Sequence, residues 1–297
     1  MNFDVAPGET LGLVGESGSG KSTTGRAILK LAEPTSGTIR FEGRDIGTMG
    51  LEYRRAVQAV FQDPASSLNP RHVVADAVIA SLRRHGLDRP DERAAEAFEQ
   101  VGLSRAHLSR YPAELSGGQQ QRVAIARALA LGPRLVVCDE AVSALDLSTQ
   151  SQIINLLADL QAETGVSYLF IAHDLGIVRH LSHRIAVMLA GRIVEIAPAD
   201  QLFQHPRHPY TRALLAASPV AHPSGRQEHR IKRAAYRPLH KGAPIKRDAV
   251  GCPFRARCGR VMEICHTTTP PVYDLLDGQQ AACHLYAEDA LLNRGRI

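Results

Sequence analysis

Short runs of consecutive apolar residues alternate along this chain with longer stretches in which apolar positions return every three or four residues. The first kind predicts buried strands, the second the helices packed on them. Thr10–Val14 reads as a strand, segment 15–20 is rich in glycine, and an apolar helix then runs through Ala27, Ile28 and Leu31. Glu33 and Pro34 are expected to end that helix, because proline lacks the backbone donor and clashes with the preceding turn. Strand-like runs follow at 38–41 and 56–61, and segment 64–71, rich in Ser, Asn and Pro, is a connection. From 73 to 102 the pattern is helical, with Val74, Val78 and Leu82 recurring at four and Ala94, Ala95, Phe98 and Val101 lining another face. A helix at 120–131 leads to a strand at 135–138 that ends in two carboxylates, and another strand at 167–171 precedes His173 and Asp174. Runs 185–189 and 192–196, separated by Ala190 and Gly191, read as a hairpin. Continuous apolar strands alternating with helices predict an α/β fold with a mostly parallel sheet, carrying a helical insertion at about 64–131.

The texture changes after Pro219. Segment 222–247 carries many His, Arg and Lys and few large apolar residues, which reads as an exposed arm before a small cysteine module at 251–285. The 297 residues amount to about two domains at ~150 residues each: the expected division is 1–205 and 206–297. No run approaches the ~18 apolar residues of a membrane-spanning helix, and the first residues lack the order of a secretory signal, so the chain is expected neither to enter a membrane nor to be exported by its own sequence. The charge of +5 permits an acidic partner without naming one. Aromatic residues are only 5% and Trp is absent, which leaves little material for stacking bases, and no nucleic acid partner is expected.

The chemistry concentrates in a few places. Gly15, Glu16, Ser17, Gly18, Ser19, Gly20, Lys21 and Ser22, with Thr23 behind them, satisfy the long phosphate-loop pattern between the strand and helix that it requires. Glycines let the backbone approach phosphates, and the N–H groups of the loop and helix start make an anion cradle. Lys21 is placed to reach the terminal phosphates, Ser22 to give its hydroxyl to Mg²⁺, and Asp139 to be the second contact to that ion. Glu140 is the candidate to align or deprotonate the attacking water. His173, past another buried strand, is either a donor to the γ-phosphate or a satisfied strand-edge histidine. Ser116, Gly117, Gly118 and Gln119 put a small-residue turn before a helix, which suits a phosphate contact and an ordinary N-cap equally well.

These motifs, in this order, resemble the ATP-binding subunits of ABC transporters, and more narrowly those of the dipeptide and oligopeptide importers. Leu115 to Gln119 resembles the ABC signature, Gln62 the Q-loop glutamine, Ser143 to Asp146 the D-loop and His173 the switch histidine. The resemblance implies a P-loop NTPase fold of ABC type with a helical signature subdomain and a small C-terminal cysteine-containing domain. It implies a pair of ATPase subunits, alike or merely homologous, in which the signature completes the site opposite the partner's phosphate loop. Gln62 would sense γ-phosphate and Mg²⁺, and segment 63–71 would meet two membrane-spanning permease subunits. An extracytoplasmic substrate-binding protein is the indirect partner, and the expected place of work is the cytoplasmic face of the cell membrane. The cargo, whether dipeptides, longer peptides or nickel complexes, is not legible in such a subunit. A non-transport ABC ATPase and a truncated, mainly structural subunit are the competing readings. Against the family pattern the chain starts only 14 residues before Gly15, so the β-subdomain is expected to be short at its N-terminus, and Ala141 stands where a proline is usual.

Four of the five cysteines, Cys252, Cys258, Cys265 and Cys283, fall late in the chain. By spacing alone they are zinc ligands, iron–sulfur ligands or unliganded buried thiols, with His266 and His284 as possible substitutes. The importer resemblance implies a structural [4Fe-4S] cluster on the four cysteines, with Zn²⁺ as the alternative. His208-Pro209-Tyr210-Thr211 resembles the opening of that subgroup's tail; by itself it is a turn before a helix. The basic approach to it, Lys232, Arg233, Lys241, Lys246 and Arg247, reads as a solvated linker or as a contact for membrane headgroups.

Overall fold

The computed structural model describes residues 1–217 and 250–287. The basic arm expected at 222–247 lies outside the described residues. The chain divides into two compact units, one built from Val5–Thr10 and Ser22–Ala172, the other from Met1–Asp4, Leu11–Lys21 and the chain from His173 onward.

In the first unit, strands β4 (Val57–Phe61), β5 (Leu135–Asp139) and β6 (Ser167–Ala172) pair in parallel. β6 is buried throughout and the middle of β5 fully so, as expected of strands covered on both faces. The register aligns Phe61 with Asp139 and Asp139 with Ile171, so residues just past these strands leave at one carboxyl edge, where ligands of such sheets bind. The helical insertion contains α3 (Val74–Arg84), α4 (Pro90–Gln100) and α5 (Gly117–Leu129). Val74, Val78 and Leu82 of α3 and Ala94, Ala95 and Phe98 of α4, with Val101 at its end, are buried as their spacing predicts. Helix α6 (Leu147–Thr164) fills the stretch between β5 and β6: Asp146 caps its start, Gly165 ends it at φ 69°, and Ile153, Ile154, Leu157 and Leu160 form its buried stripe.

Two expectations shift in detail. Helix α1 (Lys21–Ile28) ends before Leu31, and proline does not end it. Lys30 turns left-handed at φ 56°, Leu31 N–H reaches Arg26 C=O at 2.8 Å and Lys30 N–H reaches Ala27 C=O at 3.1 Å, a Schellman closure made without glycine. The strand expected at 38–41 shrinks to β2 (Arg40–Phe41), paired with β3 (Arg44–Asp45) across Glu42 and Gly43, both at positive φ.

In the second unit, β1 (Thr10–Val14) pairs in parallel with β7 (Arg184–Leu189), and β7 turns through Ala190 and Gly191, again both at positive φ, into antiparallel β8 (Arg192–Pro198). The hairpin is the one the sequence predicts, with the twist that two-residue turns of this kind favour. β10 (Gln280–Ala281) lies antiparallel to β8, with Ala281 opposite Glu195, and β9 (Tyr273–Asp274) pairs with β10. The cysteine-bearing segment thus covers the edge of β8 with backbone hydrogen bonds.

Candidate active site

β1 is buried along its whole length and delivers the chain into the glycine-rich loop. A Cβ on Gly15 would stand 2.1 Å from the carbonyl oxygen of Met188, and Gly15 has φ 155°, so only glycine fits where the loop leaves the strand. Ser19 N–H donates to Glu16 C=O at 3.1 Å, and Gly191 N–H donates to Ser19 C=O at 2.8 Å, tying the loop to itself and to the β7–β8 turn. Lys21, the first residue of α1, is only 5% exposed. Its Nζ donates to the carbonyls of Gly15 at 2.9 Å and Glu16 at 3.1 Å, which holds the ammonium within the loop's curve.

The next residue, Ser22, donates its hydroxyl to Asp139 Oδ1 at 2.9 Å. These are the two candidate Mg²⁺ contacts, 117 residues apart in sequence and paired in space. Glu140 follows at the end of β5 with φ 51°, a left-handed conformation that costs a non-glycine residue about 1–3 kcal/mol. It is held there from both sides: its N–H donates to Ile171 C=O at 3.0 Å, and its C=O accepts from the Ser143 N–H at 3.1 Å and hydroxyl at 2.9 Å. Gln62 is exposed one residue beyond β4, past the residue paired with Asp139. His173 is exposed directly after β6, and Asp174 behind it caps α7 (Leu175–Leu181). Cys138, by contrast, is fully buried, and burial first, then Asp139, pushes its thiol up to about 12, which marks a core residue.

Ser116 is the N-cap of α5. Its hydroxyl accepts from Gln119 N–H at 3.3 Å and Gln119 Oε1 accepts from Ser116 N–H at 2.9 Å, a reciprocal capping box. Ser116 and Gly117 are exposed, so the helix start turns its free backbone donors outward. A Cβ on Gly118 would stand 2.6 Å from Thr149 Cγ2 at the start of α6. Gly118→Ala is therefore expected to lower stability by about 1–2 kcal/mol, measured by urea unfolding, with Thr149→Ser in the same chain recovering most of the loss. Asp146, which caps α6, accepts from the Ser148 hydroxyl and from the N–H and hydroxyl of Thr149, and these bonds hold its carboxyl well below the usual range.

A family model described as "ABC transporter" matches residues 1–143, and one described as "Oligopeptide/dipeptide transporter, C-terminal region" matches residues 194–265. The "Probable peptide ABC transporter ATP-binding protein y4tS" of Sinorhizobium fredii is 46% identical over 298 residues, an alignment covering 98% of this chain and 82% of that one. The chain belongs to the ABC transporter ATP-binding family. The "Glutathione import ATP-binding protein GsiA" of Escherichia coli O6:H1 is 55% identical over 238 residues, 78% of this chain, and the match spans 38% of that relative's length. Among solved structures, the ABC cassette MJ0796, described as a dimer in a post-hydrolysis state bound to ADP and Pi, superposes with TM-score 0.59 at 31% identity, covering 67% of this chain and 88% of that one.

The matched transporter C-terminal region carries Cys252, Cys258 and Cys265, and Cys283 lies beyond it. Cys252, Cys258, Cys265 and Cys283 are all buried and line one small cavity with His208, Phe254 and His284. Burial, ahead of the other thiols, pushes Cys283 up to about 12 and raises Cys252 and Cys258 as well. Cys258 Sγ accepts from Arg260 N–H at 3.4 Å. His284 Nε2 donates to the Thr268 carbonyl at 2.9 Å, while His266 is exposed and does not line the cavity. Among the described residues no three His, Cys, Asp or Glu side chains gather as the ligand set of a single ion. The sequence assigns no site role to Tyr210, which lies in the His208–Thr211 motif, or to Arg257, which precedes Cys258.

Proposed function

We propose that this chain is the energising ATPase subunit of an importer for peptides or peptide-like cargo such as glutathione. The observation that carries the reading is the Ser22–Asp139 hydrogen bond between the phosphate loop and the end of β5, with Glu140 next in line. Mg²⁺ fits this pair of hard oxygen donors; bound there it would neutralise phosphate charge. Lys21 and the first N–H groups of α1 take the triphosphate. Glu140, fixed by its backbone bonds, orients the water and accepts its proton, while His173 donates to the γ-phosphate and Gln62 contacts the γ-phosphate side of the site. The exposed Ser116–Gln119 helix start serves a second ATPase subunit's phosphate loop, so that ATP binding favours the closed pair, and opening follows hydrolysis.

No described helix is long and apolar enough to cross a membrane. Importer ATPase subunits of this kind work with membrane-spanning permease subunits. A cleft of about 490 Å³ beside the Q-loop strand, lined by Phe61, Ser67, Leu68, Asn69, Val73 and Arg127, supports docking them near segment 63–71. A substrate-binding protein outside the membrane would deliver cargo, and the subunit would lie peripherally on the cytoplasmic face. The test is ATP turnover and peptide or glutathione uptake by the chain reconstituted with its permeases; ATP turnover that needs no permease and drives no uptake would favour a non-transport ATPase.

The reading extends to a [4Fe-4S] cluster in the cysteine cavity. Four buried cysteines line one cavity and thiolates are donors suited to soft metals, so the four would draw together around a cluster that they do not already frame as a ligand set. Cys252, Cys258, Cys265 and Cys283 would hold it, and it would supply folding energy to a segment with a small core of its own. Protein purified anaerobically is expected to contain iron and acid-labile sulfide in about equal amounts; stoichiometric zinc without sulfide would defeat the assignment.

A further inference from the structure

Glu16, the first side-chain-bearing residue of the phosphate loop, is gripped from three directions. Its C=O accepts from Lys21 Nζ at 3.1 Å, its N–H donates to the Tyr210 hydroxyl at 2.9 Å, and both of its carboxylate oxygens accept from the Arg257 guanidinium at 2.8 Å. The last two partners lie 194 and 241 residues further along the chain. They are themselves packed together. Phe254 meets Tyr210 edge-on with ring centroids 5.5 Å apart, and the Arg257 guanidinium lies 5.6 Å from the centre of the same Phe254 ring. Arg257 sits in the turn between Cys252 and Cys258, its N–H bonded to Phe254 C=O at 2.9 Å. The Arg257 side chain is 15% exposed and the Glu16 side chain 42% exposed, so the pair is partly withdrawn from water.

A carboxylate in a loop built to receive triphosphate is an electrostatic liability. Unpaired, it repels the incoming anion; paired with a guanidinium, the same position is neutral and its geometry is fixed. We propose that Arg257 is a positioning residue for nucleotide binding, acting through Glu16: it cancels the loop's one carboxylate and, with Tyr210, holds the loop in its receptive shape. The inference rests on the ATPase reading, and it gives the C-terminal region a direct hold on the phosphate loop that needs no metal at the cysteines.

The test is titration of the full-length chain with a fluorescent ATP analogue and Mg²⁺. Arg257→Ala is expected to bind about five- to tenfold more weakly, as the loss of a charge-assisted pair implies, and the defect is expected to shrink as salt is raised from 0.1 to 0.5 M. Arg257→Lys, which keeps the charge, should recover about half of the logarithmic loss. The deciding variant is Glu16→Gln with Arg257→Ala: removing the carboxylate makes the arginine unnecessary, and affinity should return to within about twofold of Glu16→Gln alone. Tyr210→Phe should cost about two- to threefold for one neutral hydrogen bond. Arg257→Ala binding like the wild type overturns the inference. So does a loss that persists undiminished in the Glu16→Gln background, since Arg257 would then act through folding alone. A wild-type chain that binds no nucleotide overturns the ATPase reading itself, and the inference with it.

Discussion

Glu140→Gln is expected to stop ATP hydrolysis while leaving ATP bound. The substitution changes one atom of the side chain, and three bonds that hold residue 140 run through its own backbone: its N–H to Ile171 C=O, and its C=O from the Ser143 N–H and hydroxyl. The left-handed φ of 51° is imposed by those bonds and is borne by Gln as by Glu. Fold and phosphate contacts therefore persist, and only the proton acceptor is lost. The turnover rate should fall about 10²- to 10⁴-fold, a barrier increase of about 3–5 kcal/mol. Phosphate release measures the rate, and size exclusion with ATP and Mg²⁺ should show a persistent closed pair. A variant that turns over ATP within about tenfold of the wild type would remove Glu140 from the role of base.

Lys21→Ala should act one step earlier, on binding. The Lys21 ammonium is buried within the loop and donates to the carbonyls of Gly15 and Glu16, so its loss removes both a positive charge aimed at phosphate and an internal brace of the loop. Two charge-assisted bonds at roughly 1.5 kcal/mol each suggest about a 10²-fold loss of nucleotide affinity. Lys21→Arg is expected to rescue little, because a planar guanidinium does not reproduce the point charge that the buried ammonium presents to the loop. Affinity within about threefold of the wild type in Lys21→Ala would show that the backbone cradle alone holds the triphosphate. The two variants separate the steps: one binds without turnover, the other fails to bind.

The parts of this molecule that were legible in its sequence are those governed by neighbours a few residues apart. The strand, glycine loop and helix around Gly15 to Ser22 could be read because glycine placement and apolar runs are local signals. The capping box of Ser116 and Gln119 and the two-residue turn at Ala190 and Gly191 are equally local. The end of α1 was misread for a tertiary reason. Lys30 adopts a left-handed conformation while its ammonium donates to the carbonyls of Ile46 and Met49, both at 2.9 Å, and no signal near residue 30 announces those partners. β9 and β10 escaped notice because each has two residues, too short for any period to show.

The sequence by itself determined the phosphate loop, the acidic pair at Asp139 and Glu140, the alternation of strands and helices and the clustering of four late cysteines. Tertiary structure decided which of these meet. Parallel register between β4, β5 and β6 brings Gln62 and Glu140 to one edge of the sheet, and the fold places Asp139 against Ser22. Pairing of β10 with β8 accompanies the fold in which Arg257 and Tyr210 reach Glu16. The reason is physical: helix periodicity, caps and turns are set by bonds spanning up to about five residues, whereas a carboxylate's partner 241 residues away is chosen by sheet register and packing, which no local pattern encodes.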